Sequence, residues 1–568
     1  MAKTMRNRAV NSKTLFITTS PRTPFKMLPE IALLDEEMRG EEWTPETQSK
    51  FYFLLKERDF FEGDESQTPA LSARDRINRS PKALGFVSLP IIGLTAVGKE
   101  FVESNNKEEI LLRQMLKFQL PSPYHPLGNG AADFCVKPYL ELFRLVRTLG
   151  TLSFDELQIF GMQLVNYKYF DDIVEKIKLF RKEKEQYIGK YKEFKQKVFV
   201  REAAKIYEEE ILSGNIQTRE SRTTTIKSFL DKKISNLRDY ADACVRYLRS
   251  TGLVSVTAIG KTLSIIPEKI KDVDFILTTI DREPCFVKEQ IKYESYLWNP
   301  TIPKLLTDDK DKIIEKLKGE FGISADSSLS INRLKDILNE QIQIRKENKI
   351  AEQIKVLKDY TLYEEIDKTF DTMNKSYEPS LFFEWNTWRA MTMLDGGEIK
   401  ANLKFDDSGN PMNTALGKVA DIECDYGDFD VTVEVSLSSG ALQFKMEGEP
   451  VPRHIGIHKE KTNKPTFCFF IAPTINPATI AHFYTLHISN VDLYGGKCTI
   501  IPLRLETFRK MLKDAVDAPI KPNPNNIKRL FETSQKLAKE CFVRDDNETI
   551  WYDKITDEAT HWLSERIS

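Results

Sequence analysis

The sequence has few features of a secreted, membrane-bound or zinc-binding protein. Its seven cysteines include no pair with the spacing C-x-x-C, and scattered cysteines in odd number are typical of reduced, packed thiols. The longest apolar stretch, residues 84–97, is interrupted by Gly85, Pro90 and Gly93, so no segment is suited to span a membrane. The basic N-terminal segment has no continuous apolar core behind it. We therefore expect a cytoplasmic protein without structural zinc and without a membrane partner.

A large charge of one sign is also missing, because the net charge is only −2 over 568 residues. The two parts of the chain differ nevertheless. Residues 1–300 have a net charge of +5, whereas the remainder has −7. A basic first part suits contact with a polyanion and an acidic second part suits metal ligands, although differences of this size also arise by chance. The length favours more than one domain.

The basic first part contains one order of elements twice, namely helix, turn, basic helix and strand pair. The first copy has helices at 45–56 and 71–82, followed by two strands around a turn. The second copy has helices at 223–231 and 234–249, followed by a hairpin with Gly260 at its tip. This is the order of a winged helix, whose second helix enters the major groove of DNA. A winged helix can also serve only to pack against other domains, and the residues leave both interpretations open.

The second helix of each copy carries basic side chains. In the helix at 234–249, apolar residues recur at helical spacing on one face, while the opposite face is basic. The lysine-rich region at 170–212, which separates the copies, has charges of alternating sign and is interpreted as a scaffold. The candidates for DNA contacts are Arg74, Arg76, Arg79, Lys82, Arg238 and Arg246.

These patterns predict an α+β multidomain protein. A DNA-recognition domain is expected at residues 1–275, with winged-helix-like subdomains at about 25–105 and 215–268 and a helical region between them. A proline-containing linker follows at 276–303 and leads into helices and then a second domain, at 304–568. From Glu398 onward, apolar strands and helices alternate, which predicts an α/β unit with a buried, mixed central sheet.

Three carboxylates lie at equal spacing in the second domain. Asp421, Glu434 and Glu447 are each thirteen residues from the next, and His454 follows seven residues later. We expect Asp421 to close a short strand, Glu434 to lie inside an apolar strand, and Glu447 to lie on the next helix. Burying a carboxylate without a partner is costly, so a divalent cation is the expected partner. The group predicts a Mg²⁺ site that activates water and stabilises a phosphate transition state.

The surroundings of these carboxylates are less specific. The carbonyl of Val435 is a natural further oxygen ligand, and Pro450 and Pro452 should kink or end the helix that carries Glu447. His454 would then lie near the group, but a packed or surface histidine would have the same sequence context. A cluster of further acids favours a tight turn that binds nothing: Asp425, Asp428 and Asp430.

Two motifs of this segment are VAD-x12-EVS at 419–436 and Q-x3-EGEPVPRH at 443–454. The first part of the chain contributes SARDRINRSPKALGFV at 72–87 and RDYADACVRYLRSTGL at 238–253. Together these motifs resemble the AlwI family of type IIS restriction endonucleases, which includes site-specific nicking endonucleases. The resemblance extends over nearly the whole chain.

The resemblance implies a winged-helix-like recognition part that reads a short asymmetric site in double-stranded DNA. It also implies a C-terminal nuclease domain of the PD-(D/E)xK type, which uses Mg²⁺ and cuts at a fixed distance outside the site. Under this resemblance, the metal-site carboxylates would be Asp421, Glu434 and Glu447, and the backbone carbonyl of Val435 would be a further metal ligand. His454 would be a nearby catalytic group, and Glu384 would be an additional catalytic acid.

Two residues depart from the wider nuclease pattern. Ala420 stands where a proline is usual, and Ser436 stands where the lysine that partners the attacking water is expected. The identity of the general base is therefore open, with Glu447 and His454 as candidates. Two other functions also stay open: a winged-helix DNA-binding protein with a catalytically inactive C-terminal α/β domain, and a nuclease that acts on RNA or in repair.

The number of strands cut is not encoded in these residues. Cutting both strands with one active site requires a second copy of the chain or a small catalytic subunit, which would supply the second site. A chain that pairs poorly would nick one strand.

Overall fold

The computed structural model describes residues 11–563, except for residues 18, 59, 61–65, 105, 218–224, 258–260, 377, 395–396, 408 and 416–418. The chain divides into two compact units, Met1–Glu340 and Gln341–Ser568. Residues 304–340, predicted to open the nuclease domain, therefore lie in the first unit, while the functional boundaries stay predictions. Among the described helices, none has both the length and the apolar character that a membrane crossing requires.

The first unit consists mainly of α-helices. They are α1 (Met27–Met38), α2 (Pro45–Glu57), α3 (Pro69–Asn78), α4 (Ser80–Ala83), α5 (Ala96–Glu103), α6 (Lys107–Lys117), α7 (Pro138–Leu149), α8 (Phe154–Ile159), α9 (Phe170–Gln186), α10 (Tyr191–Ile206), α11 (Glu208–Leu212), α12 (Ile226–Arg249), α13 (Ile270–Thr279), α14 (Gln290–Leu297) and α15 (Lys310–Phe321). Its strands are β1 (Val87–Ser88), β2 (Gly93–Leu94), β3 (Thr151–Ser153), β4 (Val254–Val256) and β5 (Thr262–Ile265). Helix α16 (Ile331–Lys358) contains the boundary between the units.

The first predicted winged-helix-like copy is confirmed in its first helix and changed in its remainder. Helix α2 begins after Thr44, whose side chain accepts a hydrogen bond from the backbone of Thr47 and caps the helix. The predicted helix at 71–82 is divided into α3 and α4. The predicted second strand of the pair is mostly helix α5, because Thr95 caps the backbone of Gly98 and starts a helix there.

The second copy has its strand pair but no helix-turn-helix. Residues 226–249 form the single helix α12, and no glycine or proline interrupts it. Strands β4 and β5 form the predicted antiparallel hairpin, while its predicted tip at Gly260 lies outside the described residues. Strand β5 also pairs with β3, far from the predicted subdomain at 215–268. The layout of a winged helix in this region therefore stays a prediction.

The predicted linker at 276–303 is packed against the rest of the first unit. Buried Lys117 donates from Nζ to the carbonyls of Leu297, at 2.9 Å, and Asn299, at 2.7 Å. Arg282 binds the buried carboxylate of Glu141 through two bonds of 2.7 and 2.8 Å. Prolines and mixed polarity indicated a linker, but buried basic side chains satisfy its backbone carbonyls and hold the segment in place.

The second unit is a mixed α/β domain, as predicted. Its helices are α17 (Tyr363–Thr372), α18 (Pro379–Leu394), α19 (Ala441–Glu447), α20 (Pro450–Thr462), α21 (Pro477–Ile488), α22 (Leu505–Asp517), α23 (Pro524–Val543) and α24 (Glu548–Thr560). Its strands are β6 (Glu398–Ala401), β7 (Lys404–Phe405), β8 (Pro411–Asn413), β9 (Ile422–Asp425), β10 (Asp430–Val435), β11 (Thr466–Ala472) and β12 (Ile500–Arg504).

The central sheet of this unit has the strand order β12-β11-β10-β9-β6. Strands β10, β11 and β12 are parallel to one another, whereas β9 and β6 run antiparallel to their neighbours. Every residue of β11 is buried, which is typical of a strand covered by helices on both faces. The predicted carboxylates lie at the junction of the parallel and antiparallel parts.

Candidate functional site

Asp421 and Glu434 lie next to each other at the start of strand β9. Val433 pairs with Ile422 in the antiparallel pairing of β9 and β10. The next residue along β10, Glu434, therefore lies opposite the residue before β9, Asp421. Asp421 precedes β9 instead of closing a strand, which corrects the prediction. The backbone N–H of Val435 donates to Oδ2 of Asp421 at 2.9 Å and fixes its carboxylate.

Glu384 joins this pair from helix α18, which packs against β10. Its side chain is buried, and Oε2 accepts a hydrogen bond of 3.1 Å from the backbone of Ala415. Burial, followed by the charge of Asp421 and a smaller effect of Glu434, raises the pKa of Glu384 well above its usual value. The resemblance had implied an additional acid at this position, and the structure brings it into the electrostatic range of the other two.

Burial and neighbouring carboxylates raise the pKa of each of these three carboxyl groups. Burial is the main cause for Asp421, and the charge of Glu434 adds to it. Burial is also the main cause for Glu434, followed by the charge of Glu447. In the described part of the chain, Asp421, Glu434 and Glu384 form no ion pair with lysine or arginine. Such a group is costly when fully ionised, so it is suited to binding a proton or a cation.

His454 contacts this group directly. Helix α20 begins at Pro450, so this proline starts a new helix where a kink or an end was predicted. One turn into that helix, Nδ1 of His454 lies 2.7 Å from Oε1 of Glu434. Burial, and then the charge of Arg453, lower the pKa of His454 to about 4. The imidazole is therefore neutral at physiological pH, when it can accept a proton.

Glu447 and Val435 lie at the edge of the group. Glu447 is the last residue of helix α19, as predicted, and is partly buried. Its charge affects both Asp421 and Glu434. Nearby Gln443 is fully buried and donates to the carbonyls of Ser438 and Thr474, so it fixes the start of α19. Val435 is the last residue of β10, and the role of its carbonyl as a ligand stays a prediction.

The donor chemistry of Asp421, Glu434 and Glu384 fits a hard divalent cation, because it consists of carboxylate oxygens that form no ion pair with lysine or arginine among the described residues. The arrangement of the side chains is less complete. Within the described ranges, no three or more histidine, cysteine, aspartate or glutamate side chains are grouped so that they could hold a metal ion. The carboxylates therefore lie close together at one end of the central strands, but they do not form a complete metal coordination sphere.

A second histidine lies one helical turn beyond His454 and was not predicted. Nε2 of His458 is 3.0 Å from Oδ2 of Asp430, and its Nδ1 is 3.7 Å from Oε1 of Glu423. Asp430 was interpreted as part of a turn, but it begins strand β10 and is buried. The i, i+4 spacing of the two histidines was the available signal. Asp425 is the last residue of β9, and its side chain accepts a hydrogen bond from the backbone of Gly427 in the turn that follows.

The basic candidates in the first unit fall into two groups. Arg76 donates to buried Glu30 at 2.6 Å and to the carbonyl of Phe60 at 2.7 Å. Lys82 is buried, with Nζ 4.8 Å from the ring centre of Tyr124. These two side chains contact the interior of the first unit, and their DNA contacts stay predictions.

Three of the other four candidates are accessible. Arg74 and Arg79 are about half exposed, and both form ion pairs with Asp75. Exposed ion pairs of this kind are weak, so a phosphate could replace the aspartate. Arg238 is exposed on α12, whereas Arg246 is partly buried and pairs with partly buried Asp242 one turn earlier.

The family model described as AlwI restriction endonuclease matches residues 83–511 of the chain. The chain belongs to the AlwI restriction endonuclease family. Membership in this family makes it a DNA-cleaving hydrolase that binds DNA. The family match contains all five predicted active-site side chains and the second histidine.

Three solved structures are similar to this chain over nearly all of their own length, which corresponds to part or most of this chain. They are the small subunit (R.BspD6I2) of the heterodimeric restriction endonuclease R.BspD6I (26% identity, TM-score 0.28, 35% of this chain and 95% of that chain), the BpuJ1 endonuclease binding domain in complex with modified DNA (14%, 0.34, 51% and 100%), and restriction endonuclease FokI (13%, 0.23, 92% and 99%). These TM-scores are low, so membership in the AlwI family depends on the family match alone. A search of curated proteins found no significant match.

Ser436 has a structural role in this AlwI-family chain. It is buried at the end of β10, where its backbone N–H donates to Ile471 at 3.0 Å and its hydroxyl accepts from the backbone of Ser438 at 3.1 Å. These bonds shape the turn that leads to α19. The position expected to hold a lysine therefore helps to place Glu447.

Proposed function

We propose that the chain is a Mg²⁺-dependent type IIS restriction endonuclease or nicking endonuclease. It binds a short asymmetric site in double-stranded DNA and hydrolyses a phosphodiester bond a few base pairs outside that site. The observation that carries the proposal is the meeting of Asp421, Glu434 and Glu384 in the second unit, where among the described residues none of the three forms an ion pair with lysine or arginine. In a restriction endonuclease family, such a group is suited to cation-assisted phosphodiester cleavage.

Each of these carboxylates has one oxygen held by the protein. Val435 donates to Oδ2 of Asp421, Ala415 donates to Oε2 of Glu384, and His454 contacts Oε1 of Glu434. The other oxygen of each carboxylate is available for a ligand. Asp421, Glu434 and Glu447 would hold Mg²⁺ together with the Val435 carbonyl. The bound cation would lower the pKa of a water molecule and offset negative charge on the phosphate.

His454 is proposed to move the proton of the attacking water. In the tautomer that donates from Nδ1 to Glu434, Nε2 is a proton acceptor, and the lowered pKa keeps the ring neutral. Water attacks phosphorus while the bond from phosphorus to the leaving sugar oxygen breaks. The proton from water passes to Nε2 of His454, and solvent protonates the leaving oxygen. This role substitutes for the lysine that Ser436 replaces.

DNA recognition is proposed for the first unit. Arg74, Arg79 and Arg238 are exposed and could make base or phosphate contacts, and Arg246, which is partly buried beside Asp242, is a further candidate. A guanidinium can bind guanine through two hydrogen bonds, or it can bind phosphate without reading sequence. For double-strand cleavage, a second copy or a small catalytic subunit would supply the second active site.

The test is to sequence the cut ends produced from a mixed duplex DNA substrate with Mg²⁺ and with EDTA. The expected result is a single class of ends at a fixed distance from one asymmetric sequence, present only with the cation. Supercoiled plasmid followed over time separates nicking from double-strand cleavage, because a nickase accumulates open circles without linear product. Specific binding without any cut ends would favour an inactive nuclease domain, and cleavage of RNA or single strands alone would favour another nuclease.

A further inference from the structure

Helix α20 and strand β10 are joined by two imidazole–carboxylate contacts. His454 meets Glu434 at 2.7 Å, and His458 meets Asp430 at 3.0 Å. Asp430 and Glu434 are four residues apart on a strand, so both side chains point to the same face of the sheet. The two histidines are also four residues apart, which places them on one face of the helix. The contacts therefore form a matched pair, one at each end of the same helix–strand interface.

The second contact extends to the neighbouring strand. Nδ1 of His458 lies 3.7 Å from Glu423 on β9, two residues after Asp421. Lys461 contacts the same carboxylate at 3.3 Å, and Lys464 lies 3.3 Å from Asp430. The interactions with Glu423 and then with Asp430 raise the pKa of His458, despite its burial. His458 thus connects α20 with β10, which carries Glu434, and with β9, which begins directly after Asp421.

The opposite side of α20 contacts one loop at two places. At Gly456, an added Cβ would lie 2.9 Å from the backbone of Tyr494, so the helix and this loop are in close contact. Nζ of Lys459 donates to the carbonyl of Lys497 at 2.8 Å. Neither contact lies on the side of His454. The contact of His458 with Asp430 lies on that side, one helical turn from the contact of His454 with Glu434.

We propose that His458 is a positioning residue for the cleavage reaction. Its contacts with Asp430 and Glu423 set the rotation of α20 and thereby hold His454 against Glu434. This inference rests on the proposed function, because it assigns His458 a role only through the proposed proton acceptor. Partners that orient a functional histidine or carboxylate commonly contribute 10- to 100-fold to activity.

The test compares His458→Ala and His458→Gln with the wild-type protein in single-turnover cleavage at saturating enzyme. The rate is expected to fall roughly 10- to 100-fold in His458→Ala, while the dissociation constant for DNA stays unchanged. Since Nε2 of glutamine can reach the place of the histidine Nε2, His458→Gln should recover most of the rate. Rates are referred to the folded fraction, measured by near-UV circular dichroism.

His487→Ala is the matched control. His487 is a buried histidine of the same unit that bonds to Ser534 and Phe483, away from the carboxylates. It is expected to lower stability without lowering the rate of the folded protein. An equal loss of rate in His487→Ala and His458→Ala, or no recovery in His458→Gln, would overturn the proposal.

A double-mutant cycle supplies the decisive measurement. In a His454→Ala background, His458→Ala should cause no further loss, because the residue that it positions is already absent. A full additional loss would overturn the inference. Glu434→Ala separates this failure from a failure of the proposed function. Retained cleavage by Glu434→Ala would contradict the proposed active site. If Glu434→Ala abolishes cleavage and the effects of His454→Ala and His458→Ala are additive, only the role of His458 is contradicted.

Discussion

Two groups of carboxylates, one in each unit, are built in opposite ways. In the first unit, Asp308 and Glu109 share Arg113 and Lys335, with Arg113 only 2.6 Å from Asp308. Burial acts to raise the pKa of Asp308, but hydrogen bonds from Arg113, the Leu305 backbone and Lys335 outweigh it and lower that pKa. Two acids are here matched by two bases.

In the second unit, Asp421, Glu434 and Glu384 have raised pKa values because burial and the charges of neighbouring carboxylates act together. No lysine or arginine forms an ion pair with them in the described part of the chain. The comparison shows that burial of an acid does not by itself indicate function. A buried acid with matched bases stabilises a fold, whereas buried acids that lie close to one another favour binding of a proton or a cation.

The largest expected effect is on catalysis in the second unit. Glu434→Ala should lower the rate of plasmid cleavage about 1,000-fold or more, because a lost metal-site carboxylate removes several kcal/mol of transition-state stabilisation. DNA affinity should be retained. Glu460→Ala, an exposed acid on the same helix as His454, is the control and should cleave normally. Strong cleavage by Glu434→Ala would show that the carboxylates of the second unit are not an active site.

The next effect is on the stability of the first unit. Arg113→Ala leaves Asp308 and Glu109 without their main buried partner and should lower the free energy of unfolding by about 3–5 kcal/mol. Hydrogen exchange in peptides of α6 measures the loss. Arg333→Ala removes only an exposed ion pair of 3.8 Å with Glu340, so its effect should be below about 0.5 kcal/mol. Equal effects of the two variants would contradict a structural role for the first group.

The third prediction is a gain of stability in the second unit. Glu384→Gln removes one of the facing charges and keeps an oxygen for the Ala415 N–H, so the metal-free protein should gain about 0.5–2 kcal/mol of stability. Cleavage should fall at the same time. Thermal unfolding in EDTA measures the first change and plasmid cleavage measures the second. A destabilised Glu384→Gln would show that the charged form of Glu384 is well compensated.

The smallest expected effect is the response to pH. A carboxylate with a raised pKa contributes stability that is fully present below its unfolded value near 4.5 and is lost as pH rises through the folded pKa. Metal-free protein should therefore unfold at higher temperature near pH 5 than near pH 8. The raised pKa of His458 acts in the same direction above pH 6.5.

The first unit should differ in the same pH range. Since the pKa of Asp308 is lowered from 3.8, its contribution is present above 3.8 and is lost only as pH falls further. Hydrogen exchange read separately in β10 and α6 resolves the two units between pH 8 and 5. Glu384→Gln should weaken the pH dependence in β10. A parallel pH dependence in β10 and α6 would contradict the comparison.

Local sequence patterns predicted the elements better than their arrangement. The predicted helix at 45–56 matches α2, and β11 is one of the apolar strands expected after Glu398. The pairing of β3 with β5 joins residues about a hundred positions apart, so no local pattern indicates it. Helix α12 was predicted as two helices, at 223–231 and 234–249, but Lys232 and Lys233 between them favour a continuous helix.

The site was predicted where charge conflicts with burial. Glu434 stands between valines in a strand, and that conflict by itself indicates a ligand. Glu384 required the family resemblance, because a helix with many aromatic residues gave no sign that its glutamate faces the sheet. His458 was missed because its partners, Glu423 and Asp430, resemble turn and edge residues in the sequence, and only the strand register brings them together.

The hydrogen bonds from Lys117 to two backbone carbonyls affect what limited proteolysis can show about the boundary of the proposed recognition part. Lys288 is exposed in a turn of the 276–303 segment and offers a cleavage site for trypsin. A cut there would leave two fragments that stay associated, since α6 on one fragment binds the backbone of Leu297 and Asn299 on the other. Fragments should separate only in denaturant, and a nicked chain would elute from a sizing column as an intact protein.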